Sequence, residues 1–160
     1  MSLFIYDVIV KRVCLYKDYR PIVRVTGSHK TFVFGVLSID NKQLFRQYDK
    51  FDSQTFLKYL KELHKKFPKM ILFMDKAKQH TSKKVIEYIE RNSNTIKVIL
   101  FPTASPGFNT VEEYWRQGEK DLFYSTFYTN FKDMRRSIAE YYRTKRFNLD
   151  IVMYLTREVL

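Results

Sequence analysis

The stretch "MILFMDKAKQH" (70–80) decides how this chain folds. It opens with five apolar residues, the length and composition of a strand that is covered on both faces of a sheet. Asp75 ends that run, and a basic cluster follows it. In open α/β sheets, functional side chains gather at the carboxyl ends of strands. We therefore take Asp75 as the first candidate for chemistry.

Strand and helix patterns alternate around this run and predict an α/β fold. Predicted strands are 4–10 (with 10–17 as an extension or a second short strand), 31–39, 43–51, 70–75 and 96–101, and a Gly-Ser turn closes 20–30. Predicted helices begin after Asp52 or Ser53, after Thr81 or Ser82, and after Asn109 or Thr110, and roughly 126–160 is helical. A meander followed by alternating helices and strands indicates a mixed sheet of about five strands, with helices on both faces.

The bulk composition points to a single basic domain. The 160 residues fit one domain, 1–160, and carry a net charge of +12. Such an excess attracts polyanions, and nucleic acid is the leading candidate among them. The alternative is a basic protein that binds no polyanion. The single Cys14 suits a reducing, cytoplasmic location, and we expect no membrane span and no signal peptide.

Carboxylates at two places in the chain are candidates for a metal site. Asp75 ends a predicted strand, and Glu112 and Glu113 lie in the first turn of the third predicted helix. Carboxylate oxygens brought together at one sheet edge would hold Mg²⁺ or Mn²⁺, which can activate a nucleophile for phosphodiester cleavage. Asp is also a common turn residue, and Glu in a first helical turn favours the helix dipole, so both interpretations stay open.

Several other site classes are excluded. One Cys and three scattered His cannot form a zinc site of ordinary spacing. The chain has neither a GxxxxGK[ST] loop nor a GxGxxG turn, and no nucleophile-elbow pattern. Trp115 and Tyr114 are interpreted as core residues rather than as a platform for stacking bases.

Three stretches together resemble the catalytic core of DDE transposases, specifically the mariner-like branch that includes many bacterial and archaeal insertion-sequence elements. They are "FVFGVLSIDNKQLFRQYDKFDSQTFLKYLKEL" (32–63), "ILFMDKAKQHTSKKV" (71–85) and "LFPTASPGFNTVEEYW" (100–115). The resemblance implies an RNase H-like fold and divalent-metal-dependent cleavage and transfer of DNA strands. By the same resemblance Asp75 is the second catalytic Asp and Glu112 the catalytic Glu, and Asn109 precedes that Glu.

The resemblance also implies the remaining ligand and the DNA contacts. Asp7, in "FIYDVIV", is the third carboxylate of a two-metal site for Mg²⁺ or Mn²⁺. The residues expected to contact DNA are Lys76, Lys78, His80, Lys83, Lys84 and Asn109. Further cations that could contact phosphates are Lys65, Lys66, Arg135, Arg136, Arg143 and Arg146. For each of these basic residues taken singly, a solvated charged face is the alternative.

Three departures from the family pattern keep rival functions open. Lys76 replaces the family's Asn and could pair with Asp75; Thr110 replaces a Pro; and Val8 follows Asp7 where Glu is common. We also expect no amino-terminal helix-turn-helix region. The alternatives are a catalytically inactive remnant that binds DNA non-specifically and a nuclease of the same fold that joins no strands. A homodimer, or a separate chain that recognises transposon ends, is the partner implied besides DNA.

Overall fold

A computed structural model describes the backbone of residues 2–6 and residues 29–101, 111–124 and 126–148. Their elements are, in chain order, β1 (Ser2–Tyr6), β2 (His29–Leu37), β3 (Gln43–Tyr48), α1 (Ser53–Lys66), β4 (Met70–Met74), α2 (Lys83–Arg91), β5 (Ile96–Leu100), α3 (Val111–Phe123) and α4 (Phe131–Thr144). Within these ranges, no helix is both long and apolar enough to cross a bilayer.

The described strands fall into two sheets. One is an antiparallel meander in the order β1-β2-β3, and the other is the parallel pair β4-β5. Phe34 lies opposite Arg46 in the meander, and Leu72 lies opposite Val98 in the parallel pair. The predicted meander and the parallel strands are therefore present, whereas their union in one five-stranded sheet is not confirmed.

A tight turn sets the register of β2 and β3. Asn41 adopts a positive φ of 58°, a conformation that Asn tolerates better than most residues. The backbone N–H of Ser38 donates to the Lys42 carbonyl at 2.9 Å, and that of Asn41 donates to the Ser38 carbonyl at 2.9 Å. The predicted Asp40-Asn41 turn is thus confirmed.

Helices cover both faces of the β2–β3 hairpin. Val33 and Phe34 are neighbours on β2, so their side chains point to opposite faces. Val33 packs in one buried cluster with residues of α3 and α4, and Phe34 packs in another with residues of α1 and α2. Each face of the hairpin therefore has its own hydrophobic core.

The start of α1 lies where the sequence predicts it. Asp52 is the N-cap, and its carboxylate accepts a hydrogen bond from the backbone N–H of Thr55 at 2.8 Å. The helix ends at Lys66, two residues before Pro68. Its buried stripe faces the second core and includes Leu60 and Leu63.

The aromatic core beside α3 depends on a close approach to Gly35. A Cβ at that position would collide with the rings of Phe45 and Trp115. Trp115 and Tyr114 are buried, as predicted, and Trp115 meets Phe45 edge-on with the ring centroids 5.6 Å apart. These contacts fix the first turns of α3 on the hairpin.

The prediction that 70–75 is covered on both faces is wrong for the described residues. Leu72 and Met74 are buried, but Ile71 is 61% and Phe73 54% exposed. On β5, Ile99 is 39% exposed although this strand was also expected to be buried. Leu72 and Met74 pack in the core of α1 and α2, and the described helices leave the other face open.

The prediction of one helical region over 126–160 is also wrong for part of its length. Asn130 caps α4 by accepting a hydrogen bond from the backbone N–H of Asp133 at 2.9 Å, so the helix begins only at Phe131. Lys145 has extended dihedral angles, which end the helix. Residues 126–130 and 145–148 are not helical.

Several predictions lie outside the described residues. They concern the strand over 10–17, the Gly-Ser turn that closes 20–30, the loop with the Thr110 cap, and the region from 149 onward. Asp7 and Asn109 belong to the same group.

Candidate active site

The ends of β3 and β4 lie together at one end of the molecule. The ring of His80, which follows β4, lies 4.2 Å from that of Phe56 at the start of α1. The same ring lies 6.3 Å from Phe51, which follows β3. Asp75 directly follows β4 and therefore lies at this end, as the carboxyl-end rule for sheets predicts.

The Asp75 carboxylate is held by two donors on one of its oxygens. His80 Nδ1 lies 2.7 Å from Oδ1, and the backbone N–H of Ala77 donates to the same Oδ1 at 3.1 Å. Because a carboxylate only accepts hydrogen bonds, a proton on Nδ1 is what allows His80 to donate to Oδ1. No donor among the described residues contacts Oδ2, and the Asp75 side chain is 58% exposed. One oxygen is thus fixed and the other remains available for a ligand.

His80 reaches Asp75 because residues 77–81 form a single helical turn. The backbone N–H groups of His80 and Thr81 donate to the Ala77 carbonyl at 2.9 and 3.2 Å. His80 is only 8% exposed, and its ring packs against Phe56. The packing locks the ring and thereby fixes the Asp75 carboxylate.

The sequence assigned His80 to DNA contact and allowed Lys76 to pair with Asp75. The structure gives Asp75 a histidine partner, and no described ion pair joins it to Lys76. Lys76 is exposed, whereas His80 is buried beside the carboxylate. A signal for this pairing was the Asp-x-Ala-x-x-His pattern, since a turn over 77–81 brings its two ends together.

Four lysines lie within the ten residues that follow Asp75. Lys76, Lys78, Lys83 and Lys84 are all exposed, and none of them pairs with a carboxylate in the described part of the chain. Lys83 and Lys84 open α2, whose first turn has no acidic residue. Cations there oppose the helix dipole, so helix stability does not account for them. The arrangement creates positive potential close to Asp75.

Glu112 lies in the first turn of α3 and is exposed. The neighbouring Tyr114 and Trp115 anchor this turn in the core of α3 and α4, on the face of the hairpin opposite α1. Glu113 is occupied by an ion pair with Arg116 at 2.7 Å. Of the two predicted acids in this turn, Glu112 is therefore the one that does not pair with Arg116.

The three predicted ligands are carboxylates, which is the ligand type that divalent cations prefer, and Asp7 lies outside the described residues. No group of three His, Cys, Asp or Glu side chains able to hold a metal occurs among them. β1 and β3 both run antiparallel to β2, so β1 runs toward the same end of the hairpin as β3. Asp7 follows the last residue of β1 in sequence. Exposed carboxylate oxygens are the ligands that Mg²⁺ and Mn²⁺ prefer.

Comparison with known proteins agrees with the predicted ancestry. The described fold resembles a solved structure, "Mos1 transposase paired-end complex with left transposon end", with a TM-score of 0.66 and 15% sequence identity. The match covers 94% of this chain and 47% of that one, so the chain spans about half the length of the Mos1 protein. No curated protein sequence matches.

A family model gives the more specific result. The model described as "DDE superfamily endonuclease" matches residues 6–135, which is most of the chain and includes Asp7, Asp75 and Glu112. The three stretches that suggested a DDE core all fall within this range. The chain belongs to the DDE superfamily endonuclease family.

Proposed function

We propose that this chain is the catalytic core of a transposase, which cleaves DNA and joins the cut strand to a target in a reaction that needs a divalent cation. The observation that carries the proposal is the fixed, half-exposed Asp75 carboxylate at the end of β4, in a chain of the DDE family. The fold it shares with the Mos1 transposase supports the same conclusion.

Asp75, Glu112 and Asp7 are proposed as the ligands of Mg²⁺ or Mn²⁺. Bound ions would activate the attacking water or 3′-hydroxyl group and stabilise the leaving oxygen. His80 and the Ala77 N–H group hold Oδ1 of Asp75, which leaves Oδ2 for the ion. Pre-organisation of this kind matters because a ligand displaced by about 1 Å can cost about 100-fold in rate.

The DNA backbone is proposed to lie over the basic surface next to Asp75. Lys76, Lys78, Lys83 and Lys84 would contact phosphates, which positions DNA without reading its sequence. Asn109 is proposed to contact DNA from the segment before α3. His80 is better assigned to holding Asp75, because its buried ring offers little surface to DNA.

Finer features of the family are proposed with the function. They are a single domain over 1–160, one RNase H-like mixed sheet of five strands, membership of the insertion-sequence branch, and end recognition by a homodimer or a separate chain. β1 and β4 end at the same side as β3, which is the direction that a joined sheet requires.

The test is nicking of supercoiled plasmid by the purified chain with Mg²⁺ or Mn²⁺. We expect nicking that EDTA abolishes and that the Asp75→Ala variant lacks. Glu90→Ala is the matched control, because it removes one exposed carboxylate from α2, away from the site. Nicking that survives in Asp75→Ala would refute the assignment.

The same assay separates the two rival functions. A DNA-binding remnant would retain plasmid binding but show no nicking with either cation. A nuclease of the same fold would nick the plasmid, but a labelled 3′-hydroxyl end would never be joined to it.

A further inference from the structure

A basic groove runs between strand β3, at the edge of the described meander, and helix α4. It encloses about 650 Å³. None of the described residues that line it is Asp or Glu, whereas five are cations: Lys42, Arg46, Lys66, Arg143 and Arg146. These residues come from three separate parts of the sequence, 42–46, 66 and 143–146, so the fold creates the concentration of positive charge.

Two of the five cations are neutralised by ion pairs. Arg46 pairs with Glu62 at 2.6 Å, and Lys42 pairs with Asp40 at 2.6 Å. Both pairs are largely exposed, so they contribute little to stability. The paired carboxylates nevertheless cancel the charges of these two cations, so neither adds to the net charge of the groove.

The other three cations, Lys66, Arg143 and Arg146, have no described carboxylate partner. Lys66 Nζ donates to the Gln43 carbonyl at 2.7 Å, and Arg146 Nη1 donates to the Arg143 carbonyl at 3.1 Å. None of the three forms an ion pair with a described carboxylate, and all three are exposed. Their charges are therefore open to an incoming anion.

The negative ends of two helix dipoles offset only part of the positive charge in the groove. The groove receives the carboxyl ends of α1 and α4, and each end is equivalent to about −0.5 of an elementary charge. Together they offset about one of the three cations. A surplus of about two positive charges remains, which is enough for about two phosphate contacts.

The length of α1 separates the groove from the histidine that holds Asp75. Phe56 touches His80 near the start of α1, and Lys66 ends the same helix. At a rise of 1.5 Å per residue, these positions are about 15 Å apart. Duplex DNA advances about 3.4 Å per base pair, so 15 Å corresponds to about four to five base pairs.

We propose that this groove binds the phosphate backbone of duplex DNA beyond the phosphate at Asp75, at a separation of the order of the length of α1. The inference rests on the proposed function, because it takes the DNA at Asp75 as its starting point. Arginine suits the role because its planar guanidinium can bind phosphate through two hydrogen bonds. The contact is independent of base sequence and positions the duplex.

The test compares two variants of the full chain that lose the same charge. Arg143→Gln with Arg146→Gln removes two cations from the groove and keeps side chains that can donate to the helix carbonyls. Arg91→Gln with Lys97→Gln removes two exposed cations outside it. Binding to a duplex that spans both sites is measured by fluorescence anisotropy in EDTA, from about 50 to 200 mM salt.

We expect the groove variant to make the negative slope of log K against log salt shallower by about 2 and to lower the affinity by about 10- to 100-fold. The control variant should leave the slope unchanged. Equal slopes for the two variants would overturn the proposal, and so would retention by the groove variant of full affinity for the duplex. Circular dichroism melting curves establish that both variants remain folded.

The outcomes also separate this proposal from the proposed function. Binding is measured without a divalent cation, so it does not depend on cleavage. Plasmid nicking with equal salt slopes would overturn the groove alone. A reduced slope without any nicking would overturn the transposase activity alone. If polyglutamate bound with the same dependence on Arg143 and Arg146 while the duplex did not bind, an acidic protein would be the occupant and the proposal would fail.

Discussion

Replacing His80 tests whether the histidine positions Asp75 or only fills space. His80→Leu keeps an apolar side chain against Phe56 but removes the donor that lies 2.7 Å from Asp75 Oδ1. His80→Asn is the matched variant, because its amide nitrogen can occupy nearly the position of Nδ1 and donate to the same oxygen.

The expected effects on stability and on activity differ in size. A hydrogen bond to a charged group contributes about 1.5–3 kcal/mol, but Asp75 is 58% exposed, and exposed pairs contribute about 0–1 kcal/mol. His80→Leu should therefore change the free energy of unfolding by about 1 kcal/mol or less. The loss of a fixed carboxylate should slow nicking by about 10- to 100-fold.

Urea unfolding and the rate of Mn²⁺-dependent plasmid nicking provide the two measurements, and calorimetry adds the affinity for Mn²⁺. We expect His80→Asn to stay close to the wild type in all three, whereas His80→Leu binds Mn²⁺ more weakly and nicks slowly. If His80→Leu nicked at the wild-type rate, or if both variants lost activity equally, His80 would not act through Asp75.

Two further predictions concern stability. Gly35→Ala should destabilise the fold by about 1–3 kcal/mol in urea unfolding, because the added methyl group collides with the buried rings of Phe45 and Trp115; unchanged stability would contradict this packing. The hydrogen bond from Thr55 lowers the pKa of Asp52 below its ordinary value of 3.8, so its stabilisation is present above that pH and is lost as the pH falls through the folded-state pKa. Asp52→Asn, which can still cap the helix, should therefore unfold with a weaker dependence on acid, and identical acid dependence of the two proteins would show that Asp52 does not contribute.

Local signals in the sequence predicted much of the fold. The Asp52 cap follows from a side chain that accepts a hydrogen bond from the backbone three residues further on, and the Asp40-Asn41 turn follows from the positive φ that Asn tolerates. The burial of Trp115 follows from the apolar spacing of α3. These features depend on neighbours in the chain, and a single sequence contains them.

The features that the sequence missed depend on distant contacts. The apolar run of β4 suggested that both of its faces are covered, yet Ile71 and Phe73 are exposed. The described helices cover only the face of β4 that packs against α1 and α2. The sequence predicted that Lys66 and Arg143 could contact phosphates, but it did not predict that they share a groove. The packing of α4 and the end of α1 beside β3 brings them together.

The candidate site was predicted in its residues but not in its contacts. Asp75 does end a strand, and Glu112 does open a helix. The sequence allowed Lys76, the adjacent cation, to pair with Asp75 and assigned His80 to DNA contact, whereas the turn over 77–81 places His80 beside the Asp75 carboxylate. Adjacent side chains in an extended segment point apart, so proximity in sequence was the weaker guide.

Titration of the chain with Mn²⁺ by calorimetry tests the central claim most directly, since it needs neither a transposon end nor a DNA substrate. We predict saturable binding by the wild-type chain that the Asp75→Asn variant loses, while Glu90→Ala binds as the wild type does. Identical binding heats for the wild type and Asp75→Asn, or no heat from either, would contradict the assignment of Asp75 as a metal ligand.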